Sequence, residues 1–175
     1  MVLAGCSDAA YLNVRKYLSC AGAHIMLSED TPAPNSNAPF LAVAQIIKFV
    51  MSSSTKSKMS CLFIRAKAMV QIRQTLIEIG WPQTKSLIYC DNSTTVGVAN
   101  ETIIQCKTKT MNMQYHWIRC REAQCQFLFF WDPGAHNLAD YSTKTAPLFI
   151  MRPRGLHMWG NHTLFVHRKG VYIQV

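Results

Sequence analysis

Acidic residues are scarce in this chain of 175 residues, which has nine Asp and Glu against 18 Lys and Arg. Any acidic active site must therefore be drawn from a short set of carboxylates. The net charge of +9 favours a polyanionic partner, and nucleic acid is the commonest one. An anionic membrane surface would attract the same charge, but no basic amphipathic helix stands out in the sequence.

Long apolar runs are also missing. None approaches the roughly 18–20 residues that span a bilayer, and the first eight residues lack the basic start and apolar core of a signal peptide. The seven cysteines are odd in number and form no CxxC pair, which argues against a disulfide framework or a zinc site. We therefore expect reduced thiols, no membrane partner and an intracellular location, either cytoplasmic or nuclear.

Hydrophobic periodicity predicts an α/β domain with the order β-β-β-α-β-α-α-β-α. The close spacing of the first strands favours an antiparallel arrangement. The expected sheet is mixed and five-stranded, with three antiparallel strands followed by two that return through helices packed on the sheet. The predicted strands cover 2–7, 21–28, 39–43, 86–90 and 126–131, with an irregular extension of the third through 46–50 as an alternative. The predicted helices cover 54–79, 93–99, 108–123 and 137–144.

The short strand over 86–90 ends in Asp91, just before a predicted helix. Open α/β sheets place their chemistry at such strand ends. Taken alone, however, a helix cap is the more economical interpretation of Asp91. Asp8 ends the first strand in the same way, and Asp140 lies on the last predicted helix. Crowded carboxylates need a cation, and Mg²⁺ is bound by a few carboxylate oxygens. Three converging Asp residues in a basic domain therefore suggest a metal-dependent nuclease.

A series of motifs follows in order from about residue 3 to residue 147: Ser7-Asp8-Ala9-Ala10-Tyr11, Gln45-Ile46-Ile47-Lys48, Val50-Met51-Ser52-Ser53, Ile77-Glu78-Ile79-Gly80, Asp91-Asn92-Ser93-Thr94, Lys107-Thr108-Lys109, Tyr115-His116-Trp117-Ile118-Arg119, Pro133-Gly134, Asn137-Leu138-Ala139-Asp140-Tyr141 and Thr143-Lys144. In this order they resemble the ribonuclease H domain of copia-type retrotransposon polyproteins, in the reverse transcriptase/ribonuclease H family. Single pieces such as Ser-Asp-Ala carry no weight alone, whereas the ordered series is specific.

The resemblance implies a ribonuclease H-like domain over residues 1–147. It implies two-metal hydrolysis of the RNA strand of an RNA–DNA hybrid during reverse transcription, with two Mg²⁺ ions. Asp8, Asp91 and Asp140 fall on the family's catalytic, metal-binding aspartates. The implied partners are the hybrid and a reverse transcriptase domain of the parent polyprotein, of which these residues contain no part.

Contacts to nucleic acid are expected outside the three aspartates. Asn92, which follows the second of them, could contact the hybrid backbone. A basic face made of Lys107, Lys109, Arg119 and Arg121 could grip phosphates, although each of these residues could equally belong to an ordinary solvated helix face. Specificity for RNA would come from 2′-hydroxyls read across a shallow minor groove. His136 could carry a proton, but a surface histidine without a role is the simpler interpretation.

The chain departs from the family at one metal ligand, a Glu within the pattern Ser-Ser-x-x-Glu-x-Glu. Residues 52–58 carry Lys56 and Lys58 at the two Glu positions, with Lys58 at the ligand, and no acidic residue in 31–77 can replace it. A cation about 4 Å from a divalent metal is repelled by several kcal/mol. We therefore expect weakened metal binding and impaired catalysis. The alternative is an inactive remnant that keeps the fold, with or without nucleic-acid binding.

The last segment, over 148–175, follows no pattern that the family or periodicity predicts. It is treated as a C-terminal tail. Its histidines at 157, 162 and 167 recur every five residues, a spacing that is not typical of metal ligands.

Overall fold

A computed structural model describes residues 1–31, 38–100, 109–143, 165–167 and 170–172, with side chains left out for 109–112 and for the last two ranges. Its strands are β1 (Val2–Val14), β2 (Leu18–Ser28), β3 (Leu41–Ile47), β4 (Ser86–Cys90), β5 (Phe127–Trp131), β6 (Phe165–His167) and β7 (Gly170–Tyr172). Its α-helices are α1 (Ser54–Glu78), α2 (Ser93–Ala99), α3 (Lys109–Ala123) and α4 (Asp140–Thr143).

Five strands form one mixed sheet in the order β3-β2-β1-β4-β5. β1, β2 and β3 are antiparallel neighbours, whereas β4 is parallel to β1 and β5 is parallel to β4. The predicted fold class is therefore confirmed. Outside this sheet, β6 and β7 form an antiparallel hairpin within the segment that the sequence left without a pattern. The predicted domain boundary at residue 147 lies outside the described residues.

The two faces of the sheet carry separate apolar clusters, because successive side chains of a strand point to opposite faces. Leu3 of β1 belongs to the larger cluster, which α1 completes with Met59, Leu62 and Met69. Val2 and Ala4 belong to the cluster on the other face, together with Ala139. The sheet thus separates α1 from α4, which contacts β1 and β2.

Four predicted elements have wrong bounds. β2 begins at Leu18 rather than at residue 21, and β3 covers Leu41–Ile47 rather than 39–43. The other two are the first strand and the last helix. β1 does not end at residue 7 but continues to Val14, because Asp8, Ala9 and Ala10 still pair with β2. The last helix does not begin at Asn137. The Asn137 side chain accepts a hydrogen bond from Ala139 N and donates one to Ser7 O, so it stabilises a turn against β1, and α4 begins only at Asp140. In the described part of the chain, no helix is both long and apolar enough to cross a membrane.

Candidate active centre

The sheet register brings Asp8 and Asp91 to the same place. β1 and β4 run parallel, and their pairing ends at Ser7 and Cys90. The next residue of each strand is an Asp, so the two carboxylates lie side by side at the carboxyl end of β4. Asp8 is buried, whereas Asp91 is partly exposed.

The ammonium of Lys58 lies between these carboxylates. Its Nζ is 2.5 Å from Asp91 Oδ2 and 3.4 Å from Asp8 Oδ1. All three side chains are largely shielded from water, with 15% of Lys58, 6% of Asp8 and 19% of Asp91 exposed. The position that the family pattern assigns to a ligand Glu therefore supplies a cation to both aspartates.

Local structure at the start of α1 directs Lys58 into the site. Ser53 caps the helix, with its hydroxyl accepting a hydrogen bond from Lys56 N at 3.2 Å. About one turn after Lys58, Cys61 Sγ donates to Asp8 O at 3.0 Å and holds the helix against β1. Lys56 points elsewhere, because its Nζ donates to Ser52 Oγ at an exposed position. Only the second lysine of the pattern thus enters the site.

The electrostatics of the site keep Lys58 charged. Burial by itself lowers the pKa of Lys58, but the hydrogen bond to Asp91 and the charges of Asp8 and Asp91 outweigh it and raise the pKa above its ordinary value. The other carboxylate oxygen of Asp91, Oδ1, is buried and has no hydrogen-bond partner among the described residues. One ammonium thus faces two carboxylates.

The helix α4 supplies the other contacts of Asp8. Thr143 Oγ1 is 2.9 Å from Asp8 Oδ2 and 3.0 Å from the carbonyl oxygen of Asp140. Gly22 permits this arrangement: a Cβ there would lie only 2.7 Å from the carbonyl oxygen of Ala139. Asp140 is the first residue of α4, so the third predicted aspartate lies on the element that contacts Asp8.

The residues present do not fit a divalent metal. Within the described ranges, no three His, Cys, Asp or Glu side chains form a group that could hold a metal ion. Lys58 Nζ already contacts both Asp8 and Asp91. A divalent ion held by the same carboxylates would lie about 4 Å from this ammonium, a repulsion of about 8 kcal/mol at an effective dielectric constant near 20. The metal-binding role of the three aspartates therefore stays a prediction from the resemblance.

The residues expected to contact nucleic acid have separate positions. Asn92 caps α2, with Oδ1 accepting from Thr95 N at 2.8 Å, so Asn92 and not Asp91 is the helix cap. On α3, the Arg119 guanidinium lies 5.1 Å from the Tyr115 ring. The Arg121 guanidinium lies 5.0 Å from the ring of Trp117 in the same helix.

Two of the remaining candidates have no described contacts. Lys107 lies outside the described residues, and Lys109 begins α3 without a described side chain. His136 is largely exposed, and its Nδ1 is 3.7 Å from Asp132 Oδ1. This geometry matches the simpler interpretation of a surface histidine. The phosphate-binding role of the basic residues stays a prediction.

Sequence reasoning missed two neighbours of the aspartates. Thr143 contacts Asp8, and only the Thr-Lys motif hinted at its presence. Trp131 is the last residue of β5, in which Phe127 and Phe129 are buried. Trp131 itself is 54% exposed, and its Nε1 donates to Asp91 O at 3.2 Å. It lies at the end of β5, beside the end of β4.

The chain is similar to a retrotransposon polyprotein in sequence and to ribonucleases H in fold. No protein-family profile matches the chain. The chain is 26% identical over 104 residues to a retrovirus-related Pol polyprotein from transposon TNT 1-94 of Nicotiana tabacum. The alignment covers 59% of this chain but only 8% of that polyprotein. The resemblance to a copia-type polyprotein is thus supported by a sequence relative, of which the chain spans a small part.

Solved ribonucleases H share the architecture. LC11-RNase H1, isolated from compost, has a TM-score of 0.60 at 11% identity, over 81% of this chain and 91% of that one. The chain has the ribonuclease H fold. A second structure, LC11-RNase H1 in complex with an RNA/DNA hybrid, has a TM-score of 0.55 at 14% identity, covering 79% and 91% of the two chains. The N-terminal RNase H domain of a Mycobacterium tuberculosis protein has a TM-score of 0.52 at 14% identity, covering 81% and 92%.

Proposed function

We propose that this ribonuclease H-fold chain is a retrotransposon-derived domain that binds RNA–DNA hybrids and whose hydrolysis of the RNA strand is impaired. The single observation that carries the proposal is the position of Lys58 Nζ, at 2.5 Å and 3.4 Å from the two aspartates. Hydrolysis in this fold would depend on Mg²⁺ held by these carboxylates. Here a protein ammonium competes for them.

Binding to nucleic acid is supported by charge and by structural likeness. The net charge of +9 favours association with a polyanion. Two structures with this fold contain nucleic acid: LC11-RNase H1 with an RNA/DNA hybrid, and a foamy viral protease-reverse transcriptase with dsDNA, which has a TM-score of 0.52 at 13% identity over 81% of this chain and 90% of that chain. Arg119 and Arg121, whose guanidinium groups lie over Tyr115 and Trp117, would each contact phosphate, from different sides of α3 because they are two residues apart.

The site itself offers little hydrolytic power without a metal. Asp91 Oδ2 accepts a short hydrogen bond from Lys58, so this oxygen is already engaged by a protein cation. The Asp8 carboxylate has both oxygens engaged, Oδ1 by Lys58 and Oδ2 by the hydroxyl of Thr143. The cluster therefore neutralises charge rather than activating a nucleophile.

A working ribonuclease H is the second candidate function. The observation that favours it is the survival of Asp8, Asp91 and Asp140, two of which the sheet register brings side by side. In either case, the proposed partners are the hybrid and a reverse transcriptase domain of the parent polyprotein, acting inside the cell. The described cysteines are free, as is usual in a reducing compartment.

Cleavage of a labelled RNA–DNA hybrid in Mg²⁺ tests the proposal. We expect the wild type to cleave no faster than an Asp91→Asn variant, and Lys58→Glu to raise the rate above both. Lys56→Glu is the matched control, because it makes the same charge change in the same helical turn but away from the aspartates.

Fluorescence anisotropy on the same hybrid should show binding by the wild type that weakens as salt is raised. Wild-type turnover equal to that of Lys58→Glu would show that the ammonium does not impair hydrolysis. No detectable hybrid binding would instead remove the binding half of the proposal.

A further inference from the structure

Three of the four carboxylate oxygens of the aspartate pair contact donors from the chain itself: Asp91 Oδ2 and Asp8 Oδ1 contact Lys58, and Asp8 Oδ2 contacts Thr143. Lys58 comes from α1, Asp8 from β1, Asp91 from the end of β4, and Thr143 from α4. Each of these elements contributes one side chain to a single ionic and hydrogen-bonded cluster. The cluster therefore joins both layers of helices to the centre of the sheet.

Two neighbouring carboxylates with little solvent access repel each other and need a compensating cation. In the described structure this cation is the Lys58 ammonium, which contacts both of them. A metal ion bound by carboxylates at this position would meet the same need by the same physics.

We propose that Lys58 is the resident cation of this domain: it replaces a divalent metal as the counter-ion of Asp8 and Asp91, so that folding stability and hybrid binding are independent of Mg²⁺. The binding half rests on the function proposed above. The stability half requires no nucleic acid, so the two can fail separately.

Lys56 shows that a nearby lysine alone does not have this role. It lies two residues earlier in α1, and its ammonium donates to the hydroxyl of Ser52 on the surface. Residues two apart on an α-helix point about 200° away from each other. Lys56→Met is therefore the control for Lys58→Met. It removes the same charge and leaves a side chain of the same length, but it does not affect the aspartate pair.

Thermal unfolding measured by circular dichroism tests the stability half. The wild type, Lys58→Met and Lys56→Met are compared in MgCl₂ and in NaCl of equal ionic strength, without nucleic acid. We expect Lys58→Met to lower Tm by about 5–10 °C in NaCl, because it leaves two carboxylates uncompensated. Mg²⁺ should then restore part of the loss, since a bound ligand stabilises the folded state. The wild type and Lys56→Met should not respond to Mg²⁺.

Three results would overturn the inference. One is a wild type that Mg²⁺ stabilises. Another is a Lys58→Met variant with an unchanged Tm. The third is a decrease in the Tm of Lys58→Met that Mg²⁺ does not reverse. In that case Lys58 would form an ordinary ion pair and would not substitute for a metal.

A metal-binding measurement on the wild type decides the matter if Lys58→Met does not fold. We expect a Mn²⁺ titration of the wild type, followed by electron paramagnetic resonance, to show the same Mn²⁺ binding as a titration of the Asp91→Asn variant. A wild-type site that is lost in Asp91→Asn is therefore not expected. Finding such a site contradicts the inference.

The binding half is tested by anisotropy of a labelled hybrid with the wild type, in EDTA and in MgCl₂ at equal ionic strength. We expect dissociation constants within about twofold of each other. A tenfold gain with Mg²⁺ would overturn this half. Absence of binding in both buffers would refute the proposed function, while the unfolding experiment would still decide the role of Lys58.

Discussion

Replacing Gly22 by Ala is expected to displace α4 from the sheet. A Cβ at this position would lie 2.7 Å from the carbonyl oxygen of Ala139 and 2.7 Å from Thr143 Cγ2. The first of these atoms belongs to the backbone and cannot rotate away. Because ordinary contacts to a Cβ begin at 3.4 Å, α4 must move outward by several tenths of an ångström.

The cost of this movement follows from the contacts that α4 makes. Overpacking typically costs about 1–3 kcal/mol. The displacement also weakens three hydrogen bonds, from Thr143 Oγ1 to Asp8, from Asn13 Nδ2 to Thr143 O, and between His24 Nε2 and Ser142 Oγ. Replacing a glycine by alanine also lowers the conformational entropy of the unfolded chain, which stabilises the protein by about 0.4–1 kcal/mol. We therefore expect a net loss of about 2 kcal/mol, which corresponds to about 4–8 °C in Tm.

Urea unfolding followed by circular dichroism measures this loss, and Gly5→Ala is the matched control. Gly5 lies on the neighbouring strand, and its added Cβ would meet the carbonyl oxygen of His24 at 3.1 Å and the flexible Met69 side chain at 3.2 Å. We expect this variant to lose less than about 1 kcal/mol. Two outcomes would contradict this prediction. One is a Gly22→Ala variant as stable as the wild type, and the other is an equal loss of unfolding free energy in both variants.

Three further changes test the surroundings of the site. Burial lowers the pKa of His24 from 6.5 to about 4, so the stability that the neutral imidazole contributes is present above pH 6.5 and is lost on acidification. Urea unfolding should therefore show about 2 kcal/mol less stability at pH 5 than at pH 7. The His24→Gln variant should show a smaller decline. Burial raises the pKa of the Cys61 thiol from 9.0 to about 12, so the stability it contributes is present below pH 9 and is lost above it; Cys61→Ala should therefore flatten the alkaline decline of Tm. Ser53→Ala should cost about 1 kcal/mol in urea unfolding because it removes the cap of α1, whereas Ser54→Ala at the exposed next position should change stability by only a few tenths.

The elements that local pattern specifies were predicted closely. β4 and α2 have the predicted bounds, 86–90 and 93–99, because an apolar run and a capping residue define them within a few positions. The length of β1 was not predictable in this way. Its residues beyond Ser7 form a strand because β2 offers them pairing partners, and that information is distant in sequence. The same holds for Asn137, which contacts Ser7 O across 130 residues instead of capping a helix.

The sequence by itself determined the ancestry of the site: the motif series, the aspartates at two strand ends, and a lysine at each Glu position of the pattern. The family pattern already assigned Lys58 to the ligand position, and the tertiary structure decided what its ammonium contacts. Helical geometry sends Lys56 and Lys58 to nearly opposite sides of α1, and the packing of that helix on β1 turns Lys58 toward Asp8 and Asp91. The charge reversal is a fact of the sequence. Its consequence, a cation already bound between the two carboxylates, arises because the sheet register and the helix phase bring three distant residues to one point.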